Sequence, residues 1–288
     1  MTIAAYNQAN YIRRRIGSAF MALLCTLAAL IGLVLLALIL WTLVQKGLAG
    51  LGVDVFTHTM KTPGQGGGLA NAIAGTLIQT GFGAAIGAPL GMAVGIYLAE
   101  VGRNSRFAST VRFVNDILLS APSVLIGLFV YQIIVVPMGG FSAIAGSVAL
   151  ALLAMPVVAR TTEDIMRLVP DGYREGSQAL GARDSTTILR VIVPAAFGGI
   201  LTGILLAVAR ISGETAPLIF TSLGSPNWST DLSKPMASLP IAIYRYASSP
   251  YAEWVNLAWS GALIITVGVL ALNISSRISH HLVARGRR

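Results

Sequence analysis

The stretch GSAFMALLCTLAALIGLVLLALILWTLVQKG, residues 17–47, decides the fold class. No charged side chain interrupts it before Lys46. A bilayer's hydrocarbon core is about 30 Å thick, and roughly 20 apolar residues in helical form cross it. The stretch follows Arg13, Arg14 and Arg15, as the apolar part of a signal peptide would. It is too long for one, and it shows no small-residue cleavage site at a signal-like length. It therefore reads as an uncleaved span. Cys25 lies inside it and is the only cysteine of the chain. A lone cysteine can form neither an intrachain disulfide nor a metal cluster, and Cys25 reads as a buried apolar side chain.

Five more stretches have the same character: 71–99, 115–136, 141–159, 197–222 and 255–276, after a first at 17–44. Across all 288 residues 55% are hydrophobic and 11% charged, where a soluble domain carries about 25% charged residues. Mean hydropathy is +0.75. Lipid offers backbone N–H and C=O groups no partner, so spans are helices or closed barrels. The short alternating segments of a barrel are not visible. The expected fold is an all-α integral membrane protein with six transmembrane helices. Residues 1–16 form a tail, 17–276 one membrane domain, and 277–288 a basic tail.

The basic residues orient it. Fifteen of the twenty lie in four places: Arg13 to Arg15, then Arg103, Arg106 and Arg112, then Arg160, Arg167, Arg174, Arg183 and Arg190, and finally Arg277, Arg285, Arg287 and Arg288. Lys46, Lys61, Lys234 and Arg245 fall on the other face, and Arg210 within a span. Cytoplasmic loops carry the excess of Lys and Arg, so both termini are expected in the cytoplasm. The same bias accounts for the net charge of +9 and calls for no nucleic-acid partner.

No G-x-x-x-x-G-K-[ST] phosphate loop occurs, so this chain is not read as an enzyme. The outer segment TPGQGGGLANAIAGT reads as a flexible linker. The segment from about Gly224 to Trp254, rich in proline and aromatic residues, reads as interfacial or partly re-entrant. Gly83, Gly87, Gly91 and Gly95 fall in one row of the second span, where small residues let helix backbones approach. Pro89 and Pro122 remove backbone donors and are expected to kink their helices.

Between the fourth and fifth spans the chain leaves the membrane from Arg160 to Val193. Asp171 is placed to cap a short helix carrying Tyr173 to Leu180. Gly181 suits its left-handed end, Asp184 or Ser185 is placed to cap a second helix, and Pro194 marks the start of the fifth span. This segment resembles the cytoplasmic motif of bacterial ABC importer membrane subunits: E-A-A, three residues, G, nine residues, I-x-L-P. Glu175, Gly181 and Pro194 match it in register, Gly176 and Ser177 replace the alanines, and Val191 and Val193 are conservative replacements. The resemblance implies that the loop docks into a separate ATPase subunit, which would carry ATP and magnesium. Further stretches, ARISGETAPLIFTSLG from Ala209, WSTDL, LPIAIYRYA and SPYAEWVNLAW, look like the A-type permease of phosphate-specific importers. That resemblance covers most of residues 70–288. It implies a type I ABC importer permease in a bacterial inner membrane, with a related C-type permease, two ATPase subunits, an external phosphate-binding protein, and no cofactor or metal in this chain.

Apart from Asp116 at the very edge of the third stretch, Arg210 and Glu214 are the only charges inside a span. A charge at mid-bilayer costs about 2.5–3.5 kcal/mol and usually faces a bundle interior or a water-filled path. Arg210 lies thirteen residues into its span, about 20 Å deep. A spacing of four puts it on one helical face with Glu214, where the two can pair. A guanidinium suits phosphate oxygens. Glu214 can accept the proton of a protonated anion or neutralise Arg210. Ser212 and Thr215 add hydroxyls, Gly213 an open backbone, and Pro217 frees the Gly213 carbonyl. The substrate path is thus assigned to Arg210, Glu214, Ser212 and Thr215. A structural ion pair that locks helices is the competing reading of the two charges. Alternatives for the whole chain are a sulfate or molybdate permease, an ion-coupled carrier or channel, and a membrane scaffold.

Overall fold

The computed structural model describes the backbone of residues 3–103 and 105–285 and the side chains of 10–103 and 105–275. Every regular element among them is helical. In chain order they are α1 (Ile3–Ala49), α2 (Val53–Thr57), α3 (Ala70–Val101), α4 (Arg106–Ser120), α5 (Ser123–Met138) and α6 (Ala143–Arg167). There follow α7 (Asp171–Ala179), α8 (Asp184–Ser212), α9 (Ala216–Thr221), α10 (Leu239–Ala247) and α11 (Ala252–Arg285). Three turns are π-helical: Tyr97–Val101 at the end of α3, Tyr131–Val135 in α5, and Ile188–Ile192 in α8.

Helices α1, α3, α6, α8 and α11 are each long and apolar enough to cross a membrane. The third expected span is different. Residues 115–136 are not one helix: α4 and α5 meet at a bend of 103°. Pro122 cannot donate to a continuing helix, and its ring pushes the preceding residue out of helical geometry. Ala121 is accordingly extended, at φ −66°, ψ 136°. What was expected as a kink is a break. Ser105 starts α4 by accepting a hydrogen bond from the Ala108 N–H at 3.0 Å.

Helix α1 has 47 residues, about 70 Å at 1.5 Å per residue. It packs on α11 through its far end. A Cβ on Gly47 would lie 2.7 Å from Cβ of Leu263, and the Lys46 ammonium stands 5.1 Å from the centre of the Trp259 ring. Cys25 is exposed, which corrects the expectation of a buried thiol: no neighbouring helix covers that part of α1. The basic residues Arg13 to Arg15 belong to α1 itself, and α11 runs on past residue 276, so neither tail boundary is a helix end. The side chains of Arg277, Arg285, Arg287 and Arg288 lie outside the described residues.

The centre of the bundle is α3 against α6. A Cβ added to Gly83 would meet Leu150 at 2.9 Å. On Gly87 it would meet the Ala151 carbonyl at 2.7 Å, on Gly91 the Met155 carbonyl at 2.5 Å, and on Gly95 the Ala159 carbonyl at 2.6 Å. All are closer than any Cβ tolerates, so the two helices are in close contact over about three turns. Helix α6 starts on Ser142, whose Oγ accepts from the Ala145 N–H at 3.2 Å. It continues to Arg167, eight residues past the expected end of its span.

The outer segments are more folded than their composition suggests. Residues 58–70 are not a free linker. Gly68 N–H donates to Thr59, Leu69 N–H to Val55, and Ala70 N–H to His58. Met60 N–H donates to the Asn71 side chain, and α3 already begins at Ala70. Residues 222–238 form no helix, yet Ser222, Met236, Ala237 and Ser238 are buried. Non-helical backbone at membrane depth survives only where protein satisfies it. Here the Gln79 amide donates to the Ala237 carbonyl at 3.2 Å, Leu239 N–H donates to Oγ1 of Thr76 at 2.7 Å, and Ser222 Oγ donates to the Met236 carbonyl at 2.8 Å. Thr76 and Gln79 lie six and nine residues into α3, about 9 and 14 Å from its Ala70 end. The segment therefore dips into the bundle.

Candidate functional site

Arg210 sits in the last turn of α8, with its side chain exposed on the chain's surface. Among the described residues its guanidinium has no hydrogen-bond or ion-pair partner. The expected pairing with Glu214 is not formed. Spacing of four brings two side chains together only while a helix continues, and α8 stops at Ser212. Gly213 turns at φ −97°, ψ 0°, Thr215 follows at φ −105°, ψ −48°, and α9 starts at Ala216. Pro217 stands in the first turn of α9, where its missing N–H would be unpaired in any case. It does not open the interior of a helix, as the sequence suggested. Its Cα lies 2.6 Å from where a Cβ on Gly127 would stand, so α9 is pressed against α5.

Ser212 and Thr215 flank the turn and are half-buried. Ser212 Oγ donates to the Ala209 carbonyl at 2.8 Å, which occupies its single proton and leaves it only acceptor capacity. Thr215 keeps its hydroxyl free of any such bond among the described residues. A cavity of about 480 Å³ opens elsewhere, lined among others by Lys61, Ser238, Arg245, Tyr246 and Trp254. None of Arg210, Ser212, Glu214 and Thr215 reaches it. Around the turn the chain carries one exposed cation, one half-buried carboxylate and one free hydroxyl.

The second site is the hairpin of α7 and the start of α8. Glu175 and Gly176 are exposed on α7. Gly181 ends the turn at φ +80°, a left-handed position that glycine fills without strain. Asp171 and Asp184 are not caps: they occupy the first turns of α7 and α8, after Pro170 and Arg183. There a carboxylate still favours the positive helix end. Ser177 Oγ bonds Thr187 Oγ1 at 2.8 Å, closing the hairpin. Pro194 stands in the first turn of the regular α-helical part of α8, Val193–Ser212, directly after the π-helical turn, although α8 as a whole begins at Asp184. Leu168, Tyr173, Leu180 and Leu189 are all exposed around this hairpin, Leu180 at 89%.

Two ionic clusters were not legible in the sequence. The Arg174 guanidinium grips Glu100 at the end of α3, Nε to Oε2 at 3.0 Å and Nη2 to Oε1 at 2.5 Å. Its remaining donors reach the carbonyls of Met166 and Val169 and the Asp171 carboxylate. The bond to Glu100 raises the Arg174 pKa above its ordinary value, against the opposing effect of burial. Glu163, 2% exposed, accepts from Nε of Arg112 at 2.7 Å and Nη2 of Arg167 at 2.6 Å. Arg174 and Glu100 lie 74 residues apart and Arg112 and Glu163 lie 51 apart, so no local spacing signals these two pairs; only Glu163–Arg167, at a spacing of four, is local.

The family model for binding-protein-dependent transport system inner membrane components matches residues 91–288. The phosphate transport system permease protein PstA of Yersinia pestis is 53% identical over 259 residues, covering 89% of this chain and 88% of that one. The PstA of Haemophilus influenzae is 51% identical over 252 residues (88% and 89%). PstA 1 of Mycobacterium tuberculosis is 35% identical over 283 residues (96% and 92%). Among solved structures, the inward-facing MetNI methionine ABC transporter overlays with a TM-score of 0.60 at 20% identity, over 74% of this chain and 93% of that one. It shares the fold. The chain belongs to the family of binding-protein-dependent transport system inner membrane components, alongside the PstA permeases.

Proposed function

We propose that this chain is the permease subunit of an ATP-driven importer that moves inorganic phosphate into the cytoplasm. The observation that carries the reading is Arg210: an exposed, unpartnered guanidinium in the last turn of a membrane helix, in a chain about half identical to phosphate permeases. A charge on the outer surface of an apolar bundle needs water or a second protein beside it. The path is therefore assigned to the seam between this chain and a related C-type permease, with Arg210 meeting phosphate oxygens and Glu214, Thr215 and Ser212 lining the same face. With no ion pair to Glu214, Arg210 presents its full charge to an anion.

The hairpin supports the coupling assignment. Its exposed apolar residues around Glu175, Gly176 and Gly181 form a surface that a soluble partner would cover. That partner is read as one of two ATPase subunits, which would bind ATP and magnesium. An external phosphate-binding protein delivers the anion. The charge bias puts the hairpin and both termini in the cytoplasm.

The test is Arg210→Gln in the reconstituted complex. Phosphate uptake is expected to be lost while the complex still assembles. Normal uptake in that variant would overturn the assignment. Stimulation of ATP hydrolysis by phosphate-loaded binding protein, with sulfate compared in parallel, separates phosphate from other oxyanions.

A further inference from the structure

We infer that the Glu100–Arg174 pair is the rigid joint through which movement of the docking hairpin enters the membrane bundle. The inference rests on the coupling role proposed above for the hairpin. A guanidinium has five N–H donors, and Arg174 places five bonds on three elements. Two go to Glu100 in the π-helical last turn of α3. Two go to the Met166 and Val169 carbonyls at and just past the end of α6. One goes to Asp171 in the first turn of α7 itself. The side chains of Arg174 and Glu100 are only 14% and 9% exposed. Arg174 is next in sequence to Glu175, the first residue of the docking motif.

Without that joint α7 would be a poor lever. It has nine residues, too few for independent helical stability. It hangs between Pro170, extended at ψ 140°, and Gly181, left-handed at φ +80°. Glycine leaves the backbone free to swivel at the second of these. The route onward to α8 passes through the π-helical turn Ile188–Ile192, and π turns inside helices recur at functional sites. A push on α7 would be taken up by these joints. Fixed to Glu100, the same push acts on α3, which the four glycines hold against α6 with backbones in contact. The α3–α6 pair then moves as one body.

Glu100→Gln tests this in proteoliposomes holding the whole complex. The amide keeps the shape of the carboxylate and loses its charge. The ATPase subunits should remain bound, and phosphate moved per ATP hydrolysed should fall about tenfold, within the range over which single substitutions alter coupling. An unchanged ratio overturns the inference. So does loss of the ATPase subunits, since the pair would then serve docking and not transmission. A second variant restores the joint covalently. With Cys25→Ser, Glu100→Cys and Arg174→Cys are bridged by a short bifunctional thiol reagent. Coupling should be low before bridging and recover after it; no recovery counts against a rigid joint. Gly181→Arg separates the two readings. If it leaves ATPase binding and transport intact, the docking role of the hairpin fails, whatever Glu100→Gln does.

Discussion

Replacing Gly91 by alanine should force the two central helices apart, whereas the same change at Gly81 should not. Both lie in α3, and in a helix interior alanine is favoured over glycine by about 0.5–1 kcal/mol. At Gly81 the added methyl meets nothing within 4 Å, so only that gain applies. At Gly91 it would stand 2.5 Å from the Met155 carbonyl oxygen and 2.9 Å from Cβ of Val158. Ordinary contact begins at 3.4 Å, so the first gap must open by 3.4 minus 2.5, or 0.9 Å. The atom in the way is backbone, and no rotamer change moves it. A radial gap of about 0.5–1 Å forfeits a quarter to a half of the dispersion energy of the contacts it opens. Overpacking of this kind costs about 1–3 kcal/mol, which against a helix-propensity gain of about 0.5–1 kcal/mol leaves a net loss of up to about 2.5 kcal/mol. The assay is thermal unfolding of the purified complex in detergent. Gly91→Ala should melt below the parent, and Gly81→Ala at or above it. Adding Gly83→Ala to Gly91→Ala should cost less than Gly83→Ala alone, because the helices are already separated. Shifts of the same sign at Gly81 and Gly91 would refute backbone contact along the glycine row.

Glu163→Ala strands two arginines and should destabilise the complex by about 3 kcal/mol, the lower end of the cost of breaking a buried pair, since Arg112 and Arg167 keep some solvent; melting at the parent temperature would show the cluster to be dispensable. Gly176→Ala meets nothing within 4 Å and should stabilise α7 by about 0.5–1 kcal/mol, while Gly181→Ala, at φ +80°, should destabilise the hairpin by about 1–2 kcal/mol; amide exchange across residues 171–190 reads both. Burial pushes the Tyr246 phenol from 10.0 up to about 12. An unfolded tyrosine loses its proton first, so the outer segment should be fully stable below pH 10 and lose stability as pH rises from 10 to about 12. Tyr246→Phe should remove that slope, and phenolate absorbance during an alkaline titration checks it.

The number and position of the spans were legible because lipid imposes a single requirement, twenty or so apolar residues with their backbone paired internally. Five helices follow it directly. The third did not, because hydropathy averages over a window and cannot see a corner. Pro122 was visible, but whether a proline kinks a helix or ends it depends on what the next turn packs against. Here α5 is held against α9, with Gly127 on Pro217. The dip of residues 222–238 was only half legible. Its prolines and aromatics marked an interface, but the partners that make burial tolerable, the Gln79 amide as donor and the Thr76 hydroxyl as acceptor, are some 160 residues away.

The site shows where local pattern ends. Arg210 and Glu214 were paired on the assumption that the helix ran through both. The sequence held the contrary sign: Gly213 at a helix end and Pro217 at the next start are the usual asymmetry of helix termini. Read that way, the charges lie on either side of a turn, and one counter-ion disappears from the argument. The consequence reaches the mechanism. A paired arginine would meet an anion at reduced charge and hold it weakly. An unpaired one attracts it strongly, and release must then come from a change of surroundings. Arg210 ends a helix whose other end is the α7–α8 hairpin: from Ile188 to Arg210 are 22 residues, about 33 Å of α8, close to the thickness of the bilayer core. The hairpin and the cation are thus two ends of one helix. On the proposed function, tilting α8 against the α3–α6 pair, which is tied to the same hairpin through Glu100 and Arg174, would alter what faces Arg210 without any contact between ATPase and anion.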